Sequence, residues 1–395
     1  MNARRSHQTS VTRGGPATRV VVALAACGVV LAGCASDPQQ SELAAPAAAS
    51  GRLAEVCPDP VVVQSPWWPQ SEHGVFYQLV GDGYTVDVDN LAVTGPLTAG
   101  GEATGVQIEI RAGGPAVGFQ NAASLMYADD SIMLGQVATD DAIGMAAETP
   151  VTAVMAPLDI APYMIMWDPE QYPEFNTVVD IGRSDVTVLY FDGATYMDYL
   201  LGSGILRQEQ VDGGYDGSPA RWLAEGGSIA QQGFATSEPY SYENDLEPWR
   251  KPVQFQLIHH TGYPIYPEAV VVRADQLDAH AACLELLVPI LQQSLVDYLA
   301  DPEPTNALIV ELVDAYGGFP YPPAKASWAV AQQLQLGIVG NGDNGTVGDF
   351  DLDRVQQTID IVVPIYAGQR RDVPADLAPD HLVTNRFIDT EIGLP

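Results

Sequence analysis

The chain has 395 residues, of which 47% are hydrophobic, and it carries 17 basic and 50 acidic side chains for a formal net charge of −33. This length and apolar content suit two folded domains and exclude a chain that is disordered throughout. The negative charge argues against binding to nucleic acid, which needs a basic surface, and against docking to anionic lipid through charge.

The chain begins with the pattern of a bacterial export signal. Residues 1–33 contain four arginines, no acidic residue and the apolar run VVVALAACGVVLAG, which is too short to span a bilayer. The run ends in Leu31-Ala32-Gly33-Cys34, which resembles a lipobox. We therefore expect a signal peptide over 1–33, a lipid anchor on Cys34 at the extracytoplasmic face of the membrane, and a flexible tether over 34–56. An ordinary secreted signal peptide is the alternative.

Two cysteines remain beyond the signal and the anchor, Cys57 and Cys283. An even pair outside the cytoplasm is readily oxidised. We predict a disulfide that ties the approach to the first strand to a helix far along the chain. Two separate thiols are the alternative.

The first predicted strand covers residues 61–63, three consecutive valines. The prolines at 66 and 69 take the chain out of the sheet, and Ser71 is a candidate N-cap for the helix that follows. Trp67 and Trp68 then stand in the loop after the strand, where ligands bind in open α/β sheets. Their flat rings could stack against a bound ligand. Packing of the rings within the fold is the alternative.

Further strand–loop–helix units follow in order. A strand over 106–110 leads to Gly113-Gly114-Pro115, whose amides could face a ligand. A strand over 132–137 leads to Thr139-Asp140-Asp141, where Asp140 either caps a short helix or accepts a hydrogen bond from a ligand. With another strand over 151–155, these units predict a mostly parallel sheet with helices on its faces.

The apolar run at 163–167 carries the chain into a second lobe. A strand over 186–191 is followed by a helix that opens at Thr195 and Tyr196, and a strand over 231–236 ends beside Glu238 and Tyr240. A crossing at 261–267 leads back to a strand over 269–273. Further helices are predicted over 275–299, over 327–336 with Ser327 as N-cap, and over 351–363.

An Asp-, Asn- and Gly-rich stretch at 341–353 raises the question of a calcium loop. It lacks the spacing of an EF-hand, so a turn before a capped helix is the better interpretation.

The two crossings predict an α/β fold with two lobes, each a mostly parallel sheet flanked by helices. Lobe I comprises residues 57–161 and 263–395 with a C-terminal tail, and lobe II comprises residues 162–262. Lobes hinged in this way enclose a cleft that closes on a ligand.

The motif W-x-P-x-x-E-H-G-x-x-Y at residues 67–77 is similar to the first strand–helix junction of the thiamine-pyrimidine-synthase-like family. Weaker likenesses lie at 113–115, 139–140 and 237–240. With the lipobox and the order of elements, they resemble a type II periplasmic solute-binding protein of an ABC transporter over about residues 60–275. The resemblance implies that a monomer captures a small molecule outside the cell and delivers it to a membrane permease.

The expected solute follows from the residues around the predicted cleft, which include few bases. Aromatic and carboxylate side chains favour a neutral or cationic heteroaromatic, such as a pyrimidine precursor of thiamine, over the sulfonates and nitrate that other family members bind. The residues expected to contact the solute are Trp67, Trp68, Glu72, Gly113, Gly114, Asp140, Thr195, Tyr196, Glu238 and Tyr240.

Two other classes of function fit the sequence less well. Some members of the wider family synthesise the thiamine pyrimidine with iron, which requires histidine ligands, but no histidine pair here has the i, i+4 spacing of a helical metal site. A nucleophile elbow and a P-loop are also missing. We therefore expect no enzymatic activity, no cofactor and no metal, and a structural or adhesive lipoprotein remains as the alternative.

Overall fold

The computed structural model describes residues 52–395. The predicted signal peptide, the lipid site at Cys34 and most of the predicted tether lie outside these residues. The tether prediction is wrong for residues 52–56, which form a helical turn with Leu53 fully buried. An apolar side chain that packs into the core holds this segment in place.

Twelve strands and twelve α-helices are named along residues 52–395. The strands are β1 Val61–Gln64, β2 Thr85–Asp87, β3 Ala92–Ala99, β4 Glu102–Arg111, β5 Ile132–Val137, β6 Val151–Met155, β7 Tyr163–Trp167, β8 Val188–Leu189, β9 Val211–Asp212, β10 Ala230–Phe234, β11 Gln254–Leu257 and β12 Ala269–Arg273. The helices are α1 Gly74–Tyr77, α2 Ala122–Ala128, α3 Thr139–Met145, α4 Val178–Gly182, α5 Thr195–Gly202, α6 Ala220–Ala224, α7 Glu238–Tyr240, α8 Ala281–Ala300, α9 Glu303–Tyr316, α10 Pro323–Gln335, α11 Leu352–Gly368 and α12 Pro379–Leu382.

The strands form two sheets, which confirms the two-lobed α/β fold. The larger sheet has the order β2-β3-β4-β1-β5-β12-β6, and the smaller has the order β11-β7-β10-β8-β9. The chain therefore leaves the larger sheet after β6 and returns to it at β12. We use lobe I for the larger sheet with α1–α3 and α8–α12, and lobe II for the smaller sheet with α4–α7.

Both sheets are mixed, so the prediction of mostly parallel sheets is wrong. In lobe I, β1 is parallel to β4 and β5, whereas β2, β3 and β4 pair antiparallel, as does β12 with β5 and β6. In lobe II, β8 is parallel to β9 and β10, and β7 is antiparallel to β10 and β11. Short turns make the antiparallel pairs β2–β3 and β3–β4.

The first strand is buried on both faces. Val61 and Val63 pack in one hydrophobic cluster and Val62 packs in another. Because alternate side chains of a strand point to opposite faces, an uninterrupted apolar run marks a strand that is covered on both sides. This burial fixes where β1 ends and therefore where the loop at residues 65–69 begins.

The predicted disulfide between Cys57 and Cys283 is confirmed. It joins the chain just before β1 to the beginning of α8, and both ends lie in lobe I. Helix α8 is long and apolar enough to cross a membrane, but its buried side chains, including Leu284 and Leu287, belong to the core of this lobe.

The later helices differ from the prediction at their starts. Helix α8 begins at Ala281 rather than near residue 275, and α9 was not predicted. Helix α10 begins at Pro323, so Ser327 lies inside it and is not its N-cap. Proline suits the first helical position, where the missing N–H has no helical partner. The capped-helix interpretation of residues 341–353 is confirmed by Asp351, whose side chain accepts hydrogen bonds from two amides of the first turn of α11.

Candidate functional site

The candidate site begins at one edge of the larger sheet. Strands β1, β4 and β5 run in the same direction, so their carboxyl ends lie side by side. Ser65 follows β1, Gly113 comes shortly after β4, and Asp140 lies in the helix after β5. The predicted lobe I residues therefore share this edge.

Trp67 packs on the glycine pair after β4. Gly114 has a positive φ of 59°, and a Cβ at this position would overlap the Trp67 ring. The Gly113 amide donates a hydrogen bond to the Trp67 carbonyl oxygen at 2.9 Å. The sequence suggested that this amide could face a ligand. Instead, it joins the loop after β4 to the loop after β1. Phe119 lies beside Trp67 with a ring separation of 5.9 Å.

Trp68 packs within lobe I. Its side chain packs against the larger hydrophobic cluster of the chain, and a Cβ at Gly318, after α9 of lobe I, would sit 3.4 Å from its ring. These contacts favour the packing alternative for Trp68, and its predicted contact with a solute stays a prediction.

Ser71 is not the N-cap that the sequence suggested. It lies in a short 3₁₀ turn, Ser71–His73, that precedes α1. Its hydroxyl lies 3.1 Å from the Ala326 carbonyl oxygen and 3.3 Å from Asn306 Oδ1. The hydroxyl thus ties the loop after β1 to α9 and α10 instead of capping a helix.

Glu72 reaches lobe II. Its side chain, 3% exposed, accepts a hydrogen bond from the hydroxyl of Thr236, which is 1% exposed and follows β10. Burial raises the pKa of Glu72, and the hydrogen bond from Thr236 works in the opposite direction. The two lobes therefore meet through a buried polar contact between the ends of β1 and β10.

A second buried network lies beside Glu72 and was not predicted. His73 Nδ1 lies 3.1 Å from Ser65 Oγ, and His73 Nε2 lies 3.3 Å from Glu268 Oε2. Ser65 Oγ also donates to Gln136 Oε1 at 3.4 Å. Glu268 comes directly before β12 and has a φ of 50°. These residues are far apart in the chain, so no spacing rule could have joined them.

Asp140 does not cap its helix. Helix α3 begins at Thr139 with Ala138 as its N-cap, so Asp140 lies within the first turn. Asp140 Oδ2 accepts a hydrogen bond from the Tyr263 hydroxyl at 2.7 Å, and the Asp140 carbonyl oxygen accepts one from the Tyr366 hydroxyl at 3.0 Å. The capping interpretation is therefore wrong, because the side chain is held by the segment that leads from lobe II back to β12.

Thr195 and Tyr196 begin helix α5 of lobe II. The Thr195 hydroxyl lies 3.1 Å from the hydroxyl of Tyr366 on α11, which belongs to lobe I. The Tyr196 hydroxyl donates to Gln232 Oε1 on β10. Thr195 thus makes a contact between the lobes, whereas Tyr196 is fixed within lobe II.

Glu238 and Tyr240 face helix α10. Glu238 accepts a hydrogen bond from the Phe234 amide at 2.7 Å. Burial raises the pKa of Glu238, and this hydrogen bond and the nearby charge of Lys325 work in the opposite direction. The Tyr240 ring lies 5.6 Å from that of Trp328. Lys325, which is 7% exposed, was not predicted, because a lysine inside a helix usually faces solvent.

The structure thus brings some predicted residues to the boundary between the lobes and leaves others within one lobe. At the boundary lie Glu72, Asp140, Thr195, Glu238 and Tyr240. Within one lobe lie Trp67, Trp68, Gly113, Gly114 and Tyr196. Across residues 52–395, no group of three or more histidine, cysteine or carboxylate side chains is placed to hold a metal ion.

Asp141 is expected to make the stability of the fold depend on pH. Burial, together with the neighbouring charge of Asp140, raises the pKa of Asp141 from 3.8 to about 7, with Arg371 opposing the shift. An acid whose pKa is higher in the folded chain binds more protons when folded. Its stabilising contribution is therefore lost as the pH rises from its ordinary pKa of 3.8 through its folded-state pKa of about 7.

We expect the free energy of unfolding to fall between pH 5 and pH 8 in wild type by about 1–2 kcal/mol more than it falls in Asp141→Asn. This figure allows for the partial exposure of the Asp141 side chain. Urea unfolding of both proteins across this range measures the difference. Parallel pH profiles would show that Asp141 titrates normally.

Comparison with known proteins supports the fold. No protein-family model matches the chain, and no curated protein sequence matches it. The periplasmic aliphatic sulphonate binding protein SsuA from Escherichia coli is 13% identical with a TM-score of 0.53, and the alignment covers 83% of this chain and 92% of that one. A structure from Bordetella bronchiseptica RB50 is 12% identical with a TM-score of 0.51, over 85% and 96% of the two chains.

A third structure, of a putative sulfonate ABC transporter's periplasmic sulfonate-binding protein SsuA from Methylobacillus flagellatus KT, is 14% identical with a TM-score of 0.50, over 83% of this chain and 93% of that one. At these identities the likeness concerns the fold alone. The chain therefore has the two-lobed fold of type II periplasmic binding proteins.

Proposed function

We propose that the chain is a lipid-anchored, extracytoplasmic solute-binding protein that captures a small molecule between its lobes and delivers it to an ABC permease. One observation carries this proposal: buried Glu72 in lobe I accepts a hydrogen bond from buried Thr236 in lobe II. Both residues follow strand ends, the place where open α/β sheets bind ligands. The lipobox at Cys34 supports the anchor, and solved binding proteins of this fold support the class.

Capture follows from a shift between open and closed lobes. A solute that touches both lobes makes its full set of contacts only in the closed form. It stabilises the closed form by the difference between its binding free energies for the closed and the open forms. The polar side chains at the boundary, Glu72 and Thr236 among them, would exchange partners with the solute. The permease would then recognise the closed form.

The charges at the boundary favour a neutral or cationic heteroaromatic over an anion. Two arginines of the first half of the chain are engaged in ion pairs: Arg111 pairs with Glu109 and Asp129, and exposed Arg183 pairs with Asp180. Neighbours with this fold are named as sulfonate-binding proteins. A sulfonate or nitrate is therefore the second candidate, with Lys325 as the buried cation that would hold it.

The other classes fit the site less well. Ser65, His73 and Glu268 have the order of a nucleophile, a base and a carboxylate, but the Ser65 side chain is 1% exposed and donates to Gln136. Its hydroxyl is not presented to a substrate. A structural or adhesive lipoprotein needs no buried polar contact between hinged lobes, whose burial is costly unless the groups are paired.

A thermal-shift screen of the full chain tests the proposal. The panel holds thiamine and its pyrimidine precursors, other heteroaromatics, organic cations, sulfonates, nitrate and amino acids. A solute at about a thousand times its dissociation constant adds about 4 kcal/mol to the folded state and raises the melting midpoint by several degrees. A shift with sulfonates alone would overturn the heteroaromatic preference, and no shift with any compound would overturn the proposed function.

A further inference from the structure

Arg354 holds both segments that join the two lobes. Its guanidinium donates hydrogen bonds to the Asp159 side chain at 2.5 Å and to the Asp159 carbonyl oxygen, in the segment that leads from β6 to β7. It also donates to the carbonyl oxygens of Pro264 and Ile265, each at 2.8 Å, in the segment that leads from β11 to β12. Both connections are therefore fixed against the first turn of α11, and the hinge between the lobes lies beside that end of the helix.

The other end of α11 contacts lobe II directly. The Tyr366 hydroxyl lies 3.1 Å from the Thr195 hydroxyl, and Gln369, which follows the helix, donates a hydrogen bond from Nε2 to Asp198 Oδ2 at 2.7 Å. Thr195 and Asp198 lie one turn apart on α5. Gln369 comes about 15 residues after Arg354, which is about 22 Å of helix. Because points far from a hinge move most when it bends, both contacts must break when the lobes open.

A third contact joins a different pair of helices across the boundary. The ring of Tyr240, at the end of α7 in lobe II, lies 5.6 Å from the ring of Trp328 on α10 in lobe I. Helix α10 packs beside the turn Ser71–His73 after β1, whereas α11 packs on α3 after β5. The contacts therefore hold the boundary at two separate places. We call the pairs Thr195–Tyr366, Asp198–Gln369 and Tyr240–Trp328 the latch.

The latch contacts are complete without a solute. Each one joins a side chain of lobe I to a side chain of lobe II, with no gap that a bound molecule must fill. Two hydrogen bonds and an aromatic pair that form only in the closed form together favour it over the open form at least about ten-fold. The buried pair of Glu72 and Thr236 differs from the latch, because it lies where a solute would exchange partners with it.

We propose that the latch holds the lobes together before a solute is bound, so that the closed form is the resting form of the chain. The proposal goes beyond the proposed function, because it concerns the chain without a solute. A solute then enters when the latch opens transiently, and it meets a cleft whose closure is already favoured. The latch therefore removes part of the cost of ordering the two lobes around the solute.

Small-angle X-ray scattering of the full chain without any solute tests the latch. In the double variant, Gln369→Glu places a second carboxylate against Asp198, and Trp328→Ala removes the ring that meets Tyr240. We expect a larger radius of gyration for this variant than for wild type, because its lobes separate. The difference should be greater at low salt than at high salt, since salt screens the repulsion between the two carboxylates. Equal radii of gyration at low salt would overturn the proposal.

Three single variants show whether the opening depends on the latch. Gln369→Glu alone leaves the packing of α10 unchanged and should still increase the radius of gyration. Gln369→Lys keeps a donor for Asp198 and should keep the wild-type radius. Gln357→Glu adds the same charge at an exposed position of the same helix and should also keep it. Circular dichroism shows whether each variant is folded. An equal increase in all three variants would overturn the proposal.

The absence of solute from this measurement separates the proposal from the proposed function. If the folded double variant expands and no compound in the screen binds, the latch stands and the solute-binding function is overturned. If a compound binds and the double variant keeps the wild-type radius of gyration, the function stands and the latch is overturned.

Discussion

Replacing Cys57 and Cys283 together with alanine is expected to lower the free energy of unfolding by about 2–5 kcal/mol. The disulfide joins residues 226 positions apart, so it closes a long loop and restricts the unfolded chain strongly. It also fixes the approach to β1 against α8, and both elements belong to the core of lobe I. Urea unfolding of the oxidised double variant and wild type measures the difference.

Two comparisons make the disulfide test specific. Wild type in the presence of a reductant should unfold at the same urea concentration as the double variant. The double variant itself should not respond to the reductant. Identical midpoints for wild type and the double variant would show that the bond adds nothing to stability.

Gly113→Ala is expected to destabilise the chain by about 1–3 kcal/mol and to weaken solute binding with it. A Cβ at Gly113 would overlap the carbonyl oxygen of Ser65 and would lie 2.7 Å from the carbonyl carbon of Pro66. Both are backbone atoms, so the loop after β1 must move to make room. That loop leads directly to Trp67 and Glu72, and its displacement shifts the lobe I side of the cleft.

Gly202→Ala is the matched control for this substitution. Gly202 ends helix α5, and nothing lies within 4 Å of a Cβ added there. Alanine should be tolerated or slightly stabilising at this position, since it loses less entropy than glycine when a helix forms. Urea unfolding compares the two variants. Equal stabilities for Gly113→Ala and Gly202→Ala would contradict the close approach of the two loops.

Much of the fold could be predicted from local patterns. The apolar runs at β1, β5, β6 and β12 identify their strands, because a strand buried on both faces needs an uninterrupted apolar sequence. The change of sheet at β7 and the return at β12 follow from the two apolar crossings. The order of the strands in each sheet could not be predicted from these patterns. Hydrophobic periodicity and strand propensity are local, so they do not specify which strands pair or whether a pair is antiparallel.

The site was less predictable than the fold, since its contacts join distant residues. Glu72 was predicted from its motif, but its partner Thr236 depends on how lobe II returns to lobe I. The same holds for His73 with Glu268. Asp140 looked like a helix cap because acids are common there, but the tertiary hydrogen bond from Tyr263 turns its side chain elsewhere.

The central claim, that one solute lies between the two lobes, is tested most directly by titrating the screen's most stabilising solute into wild type and into a substitution from each lobe. Glu72→Gln changes lobe I, Thr236→Val changes lobe II, and Glu303→Gln is an exposed control on α9. The account predicts one binding site per chain and at least ten-fold weaker binding in both Glu72→Gln and Thr236→Val, with Glu303→Gln unchanged. Wild-type affinity in both of these folded variants would contradict it.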